Sequence, residues 1–462
     1  MGFKIREIAP ERKFCEELRL DALTTVVPMR EIETVLSQLQ IAEQRHRKVT
    51  LLATVLLVIA LHLYARLSIG AVFKRLGRGL RFIWPDPDWK MPNESALAYR
   101  RYQLGARPLV ALFHRVCRPL ATPATSGAFV FGRRLLALDA TVENVPDTEE
   151  NARAFGRSRN AQGGSAFPQV RGVYLVECGT QAVLDAGFWP YRTSEEVGAW
   201  RLLRSVGAGD LLLWDAGLHS FEMLERARAQ GAEVIGRLPA TVKPEVIRAL
   251  EDGSVLAFLR PSQAGRRRRG DKLLVRIISY QITDPQRAGY GQLHRLVTTW
   301  LDPQQAPALE VVSVYAERIE IELVIDEVDT HQRLLDRPLR SLKPVGVIQE
   351  LYGVLIAHYA IRALMHEAAV AQGLAPTRLS FVGALRLVQD AIPEFQMVAP
   401  QLRLALYARL LRDLAAERLP ERHPRANPRV VKRQQSKFPR KRPEHYRAPP
   451  LAVPFKTVVR LI

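Results

Sequence analysis

The chain has 462 residues, 47% hydrophobic and 25% charged, a balance that fits a protein with a large buried core and excludes a mainly disordered one. Its length predicts roughly three domains. Against 47 Asp+Glu stand 67 Lys+Arg, a net charge of +20 that points to a polyanionic partner, either nucleic acid or an acidic membrane surface.

Three widely spaced cysteines, Cys15, Cys117 and Cys178, make neither a metal-ligand cluster nor a disulfide framework, so a reducing cytosol is the expected home. The opening residues, Met-Gly-Phe-Lys-Ile-Arg-Glu, lack the apolar core and cleavage site of a signal peptide. A helix is expected over 30–44, with Ile32, Val35, Leu36, Leu39 and Ile41 close to helical spacing. Thr50 to Leu63 is almost wholly apolar but shorter than the roughly 20 residues a membrane span needs, so it reads as a buried helix. Lys74, Arg78 and Arg81 would share one face of a helix over 71–84, suited to a phosphate backbone or simply to solvent. Asn93 should cap a helix over 94–104. Residues 1–120 are therefore expected to form an all-helical N-terminal domain.

The middle of the chain turns to strands. Residues 169–178 and 181–189 flank Gly179-Thr180 and predict a hairpin. A helix is expected over 193–206, and strands over 234–238, 255–260, 273–282 and 295–301. Arg266 to Arg269 reads as an exposed hairpin tip, because like charges this dense seldom fold inward. Helices are expected over 315–332, 347–369 and 379–391. Residues 418–447, rich in Arg, Lys and Pro, should be disordered or an extended basic arm.

Two apolar runs each end in a carboxylate, Leu135–Leu138 in Asp139 and Leu211–Trp214 in Asp215. A carboxylate leaving a buried strand is costly unless paired, hydrogen-bonded or holding a cation, although an Asp there also caps turns. Downstream, Tyr315, Arg318 and Glu322 stand at i, i+3 and i+7, one face of a continuous helix. Three carboxylates from separate elements suit Mg²⁺ (with Mn²⁺ as a substitute), which prefers oxygen ligands and leaves positions open for phosphate. Two such ions roughly 4 Å apart would activate a water or 3′-hydroxyl and stabilise the leaving oxygen, the chemistry of phosphodiester cleavage and strand transfer. An Arg beside the acids suits bidentate phosphate contact. The plainer readings are that Glu320 and Glu322 belong to a solvated helix face, that Trp300 is core rather than a platform for a flipped base, and that His331 is a polar helix-end residue.

The order of these motifs resembles the insertion sequence 4 family of DDE transposases nearly end to end. Leu138-Asp139-Ala-Thr141 is similar to that family's Asp-Gly-Thr element, and Leu211-Leu-Leu-Trp-Asp215-Ala-Gly217 to its Asp-Arg-Gly element. Val145-Pro-Asp147, Asn151, Phe155-Gly156, Ala166-Phe-Pro-Gln-Val-Arg171, Asp252-Gly-Ser254, Thr298-Thr-Trp-Leu-Asp-Pro303, Asp326-Glu327 and Thr330-His331 follow in order. Tyr315, Arg318 and Glu322 match the first three residues of a Tyr-Arg-Glu-Lys signature. The resemblance implies an α/β fold: a ribonuclease-H-like catalytic core (121–375) with a β-rich insertion at about 225–305. This core would follow the helical domain, which binds terminal inverted repeats. A helical C-terminal region with a basic arm spans 376–462.

It further implies metal-binding and catalytic roles for Asp139, Asp215 and Glu322, and DNA-contacting roles for Tyr315 and Arg318. The expected partner is double-stranded DNA, both inverted repeats and target, held by a homodimer in the end complex. The expected setting is the bacterial cytoplasm at the nucleoid, with no membrane. The sequence departs from the family at Ala140 (usually Gly), Ala216 (Arg), Ile319 (Trp) and Asp329 (Lys). On a continuous helix Asp329 would return to the Glu322 face about 10 Å along the axis and repel DNA phosphates. Slow cleavage is therefore expected, improved by Ala216→Arg with Asp329→Lys. The alternative is a catalytically decayed or non-catalytic DNA-binding protein on a transposase scaffold.

Overall fold

The computed structural model describes residues 4–43, 48–160, 163–263, 266, 270–287, 289–333, 337–420 and 453–462. They form two compact units, each assembled from separate stretches of chain. The first comprises Met1–Ala128, Ala140–Gly198 and Glu320–Arg418; the second comprises Phe129–Asp139, Ala199–Ile319 and Leu419–Ile462.

The first unit is built on two apolar helices that cross. Leu51–Leu63 is buried almost throughout, as uniform apolarity demands. It starts where the Thr50 side chain accepts the Ala53 N–H at 3.0 Å. Pro344–Ala371 begins with Pro at its first turn, where the missing N–H costs nothing. This helix has 28 residues and is apolar enough to cross a membrane, but 83% of its most apolar window is buried inside the protein, the position of a core helix. The two helices approach through Gly353, where an added Cβ would lie 2.9 Å from Val58 Cγ1 and 3.1 Å from the Val58 carbonyl oxygen. Gly353→Leu is therefore expected to overpack the crossing and lower stability by about 1–3 kcal/mol. Urea unfolding should show a lower midpoint at unchanged slope; an unmoved midpoint would refute the close approach.

The helix expected over 71–84 is divided, into Ile69–Leu76 and Arg78–Ile83. Gly77 at the junction packs so close to Phe14 that a Cβ would meet the ring at 2.7 Å. Lys74, Arg78 and Arg81 remain exposed. Asn93 caps Glu94–Leu104 as expected, accepting the Ala96 N–H at 2.8 Å. The first helix is shorter than expected, Met29–Gln38, and Arg403–Ala416 adds a helix the periodicity did not single out.

Strand β1 (Arg133–Asn144) passes from the second unit into the first after Asp139. In the first unit β2 (Gln169–Glu177) and β3 (Ala182–Pro190) form the expected antiparallel hairpin, in the order β3-β2-β1. Gln181 turns it with a left-handed φ of 59°. The hairpin packs on the long helix, with Phe188 edge-on to Tyr352 at 5.2 Å.

In the second unit follow β4 (Asp210–Trp214), β5 (Glu233–Arg237), β6 (Glu245–Ala249), β7 (Val255–Leu259), β8 (Leu273–Ile282), β9 (Leu293–Thr298) and β10 (Val459–Leu461). Their order is β1-β4-β5-β9-β8-β7-β6, with β10 beside β8. The β1–β4 and β4–β5 pairs are parallel and the rest antiparallel. A β4 buried at all five residues is what a parallel central strand requires. Trp214 fits because Gly236 is its partner on β5; a Cβ there would lie 2.5 Å from the indole nitrogen. β6 is exposed throughout, so no burial pattern in the sequence marked it. The fold is the α/β, ribonuclease-H-like core with a β-rich insertion that the sequence predicts.

Candidate active site

The parallel pairing of β1 and β4 runs Arg134↔Asp210, Leu135↔Leu211, Leu136↔Leu212 and Ala137↔Leu213. Asp139 stands two residues beyond Ala137, and Asp215 two residues beyond Leu213, the last pair of this register. Both carboxylates are half-buried; Asp215 directly follows β4, whereas β1 runs on to Asn144, so Asp139 lies within its strand and not at the exit the sequence predicts. Asp215 uses Oδ1 to accept the N–H groups of Gly217 at 2.9 Å and Leu218 at 3.3 Å, so it does cap a turn. Its Oδ2 is not committed to that turn. The plain capping role and a ligand role are compatible here. Oxygen donors in this setting fit Mg²⁺ chemistry. Among the described residues no three His, Cys, Asp or Glu side chains are gathered closely enough to hold a metal ion.

Arg318 reaches Asp139, with Nη1 3.6 Å from Oδ2. Burial pushes the Tyr315 phenol up to about 12; the Arg318 and Arg237 guanidiniums oppose the shift and the Asp215 carboxylate adds to it. Tyr315 is thus a neutral hydroxyl within the field of both arginines and of Asp215. The second unit therefore brings together Asp139, Asp215, Tyr315 and Arg318. It adds Arg237, which the sequence reading missed. A basic residue at the exit of a strand beside the second acid was the available signal.

The expected continuous helix over 315–332 is interrupted. Ala308–Ala316 ends, and the N–H groups of Glu317 and Arg318 turn back to the Val314 and Tyr315 carbonyls, i to i+3. These tight bonds close one helix before Ile319–Asp326 begins. Tyr315, Arg318 and Glu322 hence do not share a face of one helix. Glu322 belongs to the first unit and is exposed.

A second correction concerns Asp329. Glu327–Arg333 is a π-helix, whose i to i+5 bonding fits more residues into each turn and retards the rotation. Glu322 and Asp326 are exposed, whereas Asp329 is only 7% exposed. Arg333 Nη1 lies 2.9 Å from Asp329 and 2.6 Å from Glu143 of β1. Burial and the Glu143 carboxylate push the Asp329 carboxyl well above its ordinary range, against the pull of Arg333. Asp329 is an internal residue of the first unit, not a surface charge turned to DNA. Next to it, Glu327 accepts from His358 Nε2 and Arg362 Nε, each at 3.0 Å, fastening the π-helix to the long helix.

Other motif residues prove structural. Arg276 is fully buried, donating to Ser254 Oγ at 2.7 Å and to the Ala306 carbonyl at 2.6 Å, and pairing with Asp252. Asp252 also accepts the Ala308 N–H at 2.9 Å. The Asp252-Gly-Ser254 motif thereby ties the β-rich insertion to the start of the helix that carries Tyr315. Trp300 is 8% exposed, its indole N–H reaching Gln305 at 3.3 Å and Phe131 edge-on at 5.1 Å, the core role expected of it. Arg266 is half-buried and pairs with Glu225 at 2.6 Å and Asp271 at 2.8 Å. Arg267 to Arg269 lie outside the described residues, as does most of the basic arm, including Arg429, Lys432, Arg433, Arg440, Lys441 and Arg442.

The chain is similar to known proteins over most of its length. The family described as insertion element 4 transposase N-terminal matches residues 17–114, and the transposase DDE domain matches 130–359. The chain is 30% identical over 355 residues to the transposase InsG for insertion sequence element IS4 of Escherichia coli K12, covering 75% of this chain and 78% of that protein. It is 27% identical over 147 residues to the putative transposase InsZ of the same organism, covering 32% and 49%. Among solved structures, the piggyBac transposase synaptic complex with hairpin DNA aligns over 90% of this chain and 88% of that one, at 10% identity and a TM-score of 0.42, too distant to bear on the fold.. On the matched domains and the InsG likeness, this chain is an enzyme of DNA transposition and belongs to the insertion sequence 4 family of DDE transposases.

Proposed function

We propose that the chain binds the terminal inverted repeats of its element and cuts and joins DNA at a site made by Asp139, Asp215 and Glu322. The observation that carries this reading is that Asp139 and Asp215 each stand two residues beyond the last pair, Ala137↔Leu213, of two parallel strands. Mg²⁺, or Mn²⁺ in its place, would be held by these carboxylates and would supply an activated water or 3′-hydroxyl and a stabilised leaving oxygen. Arg318, 3.6 Å from Asp139, would take a phosphate oxygen once that carboxylate is engaged elsewhere. Tyr315, kept protonated, has a hydroxyl to donate to the same phosphate. We assign end binding to the helical region 1–120, chemistry to 121–375, and non-specific DNA contacts to the basic arm within 376–462. A homodimer would pair the two ends in the bacterial cytoplasm at the nucleoid, without a membrane.

The alternative, a decayed DNA-binding protein, loses one of its supports with the burial of Asp329. Ala216 still lacks the usual Arg. The test is a labelled duplex ending in the element's inverted repeat, incubated with purified protein. Nicking at the repeat boundary is expected with Mg²⁺ or Mn²⁺ and none with EDTA. Binding of the same duplex in both conditions, with no cutting in either, would establish the decayed reading instead.

A further inference from the structure

A second basic site lies entirely within the first unit. A cleft of about 750 Å³ opens between the end of helix Leu51–Leu63, helix Glu94–Leu104 and the segment 337–342. Its volume falls in the range of ligand sites, roughly 300–1,000 Å³. Five arginines line it, Arg66, Arg101, Arg333, Arg337 and Arg340, and among the described lining residues Glu350 is the only carboxylate. Two of these arginines are matched: Arg333 by Glu143 and Asp329, Arg101 by Glu350 at 3.4 Å. The other three have no carboxylate within ion-pair distance among the described residues. The Arg340 guanidinium donates only to backbone carbonyls, those of Leu67 at 2.6 Å and Ala65, while its backbone N–H donates to Glu350 Oε2 at 3.0 Å. Arg66 and Arg337 stand exposed at the rim.

The wall of the cleft is also polar without being satisfied. Both side-chain atoms of Gln332, which is fully buried, and Nε2 of His62 have no hydrogen-bond partner among the described residues. Burial lowers His62 well below its ordinary value, and Arg340, Arg333 and Arg101 push the same way. The imidazole is therefore neutral, in a field that favours an anion. Concentrated guanidinium groups around a concave polar wall recognise phosphoryl oxygens, which accept two N–H groups at once.

We propose that this cleft is a phosphate-binding site, filled by phosphoryl groups of a DNA backbone or of a free phosphorylated compound. The DNA source rests on the transposase reading; the free compound does not. Binding is measured with the full chain in EDTA, so cleavage does not enter and the failure of one idea is separable from failure of the other. Inorganic pyrophosphate should bind at one site by calorimetry. The Arg66→Ala/Arg337→Ala variant, changed only at exposed residues, should bind it about tenfold or more weakly with an unchanged Tm. Displacement of pyrophosphate by a short duplex of unrelated sequence would identify the DNA backbone as the source. Retention of pyrophosphate under saturating duplex would identify a free compound. No pyrophosphate binding by the unaltered protein would overturn the proposal. So would equal affinity in the variant, or an equal loss in an Arg75→Ala/Arg78→Ala control.

Discussion

Asp139→Asn, Asp215→Asn and Glu322→Gln are each expected to lower single-turnover cleavage of an inverted-repeat end by about 10³-fold or more, with duplex binding unchanged. The amide keeps the volume and polarity of the carboxyl group but removes the negative charge that would hold a divalent cation. Several kcal/mol of transition-state stabilisation go with it, and each 1.36 kcal/mol is about tenfold in rate. Asp215→Asn should be well tolerated by the fold, because the Asn oxygen still accepts the Gly217 and Leu218 N–H groups that Oδ1 now takes. Asp139→Asn loses the ion pair with Arg318, but both side chains are partly exposed, so that loss should be small. Cleavage is followed on labelled DNA and binding by mobility shift in EDTA. Cutting at the unaltered rate by any one variant would remove that residue from the catalytic set.

Arg333→Met is expected to cost about 3–5 kcal/mol of folding stability. Arg333 is held between Glu143 and Asp329, and the side chains of all three are 10% exposed or less. Removing the cation leaves two carboxyl groups facing each other in a site water barely reaches. Adding Glu143→Gln and Asp329→Asn to Arg333→Met should recover most of the loss, since the penalty is uncompensated charge rather than lost packing. A change below about 1 kcal/mol in the single variant, read by urea unfolding, would contradict the buried cluster.

The same cluster predicts a pH dependence. Asp329 is raised in the folded protein, so its favourable contribution is complete below the ordinary carboxylate pKa of about 3.9 and is lost as pH rises through the raised value. Asp329→Asn should therefore gain stability relative to the unaltered protein as pH climbs above the ordinary carboxylate range. Asp329→Lys would place a second cation beside Arg333 in the interior, so it should destabilise the protein rather than speed cleavage.

The sequence by itself determined the elements whose burial pattern is local. The apolar run before Asp215 had to be a buried strand, and the run over 51–63 a buried helix, because nothing in either can face water. The two candidate aspartates were legible too, since each acid ends an apolar run and the motif order resembles one family throughout, although β1 continues past Asp139 to Asn144. What only the tertiary structure decided was phase and company. Whether a helix continues through 317–318, and whether its turns are α or π, depends on i to i+3 or i to i+5 bonds that the apolar spacing does not report. That choice took Asp329 from an apparent DNA-facing position into the core. Likewise Arg276 and Arg333 are charges that composition assigns to the surface. Each is internal with a carboxylate partner from elsewhere in the chain, Asp252 for Arg276 and Glu143 for Arg333. A buried charge is stable only when paired, and pairing across that separation is fixed by the fold and not by neighbouring residues.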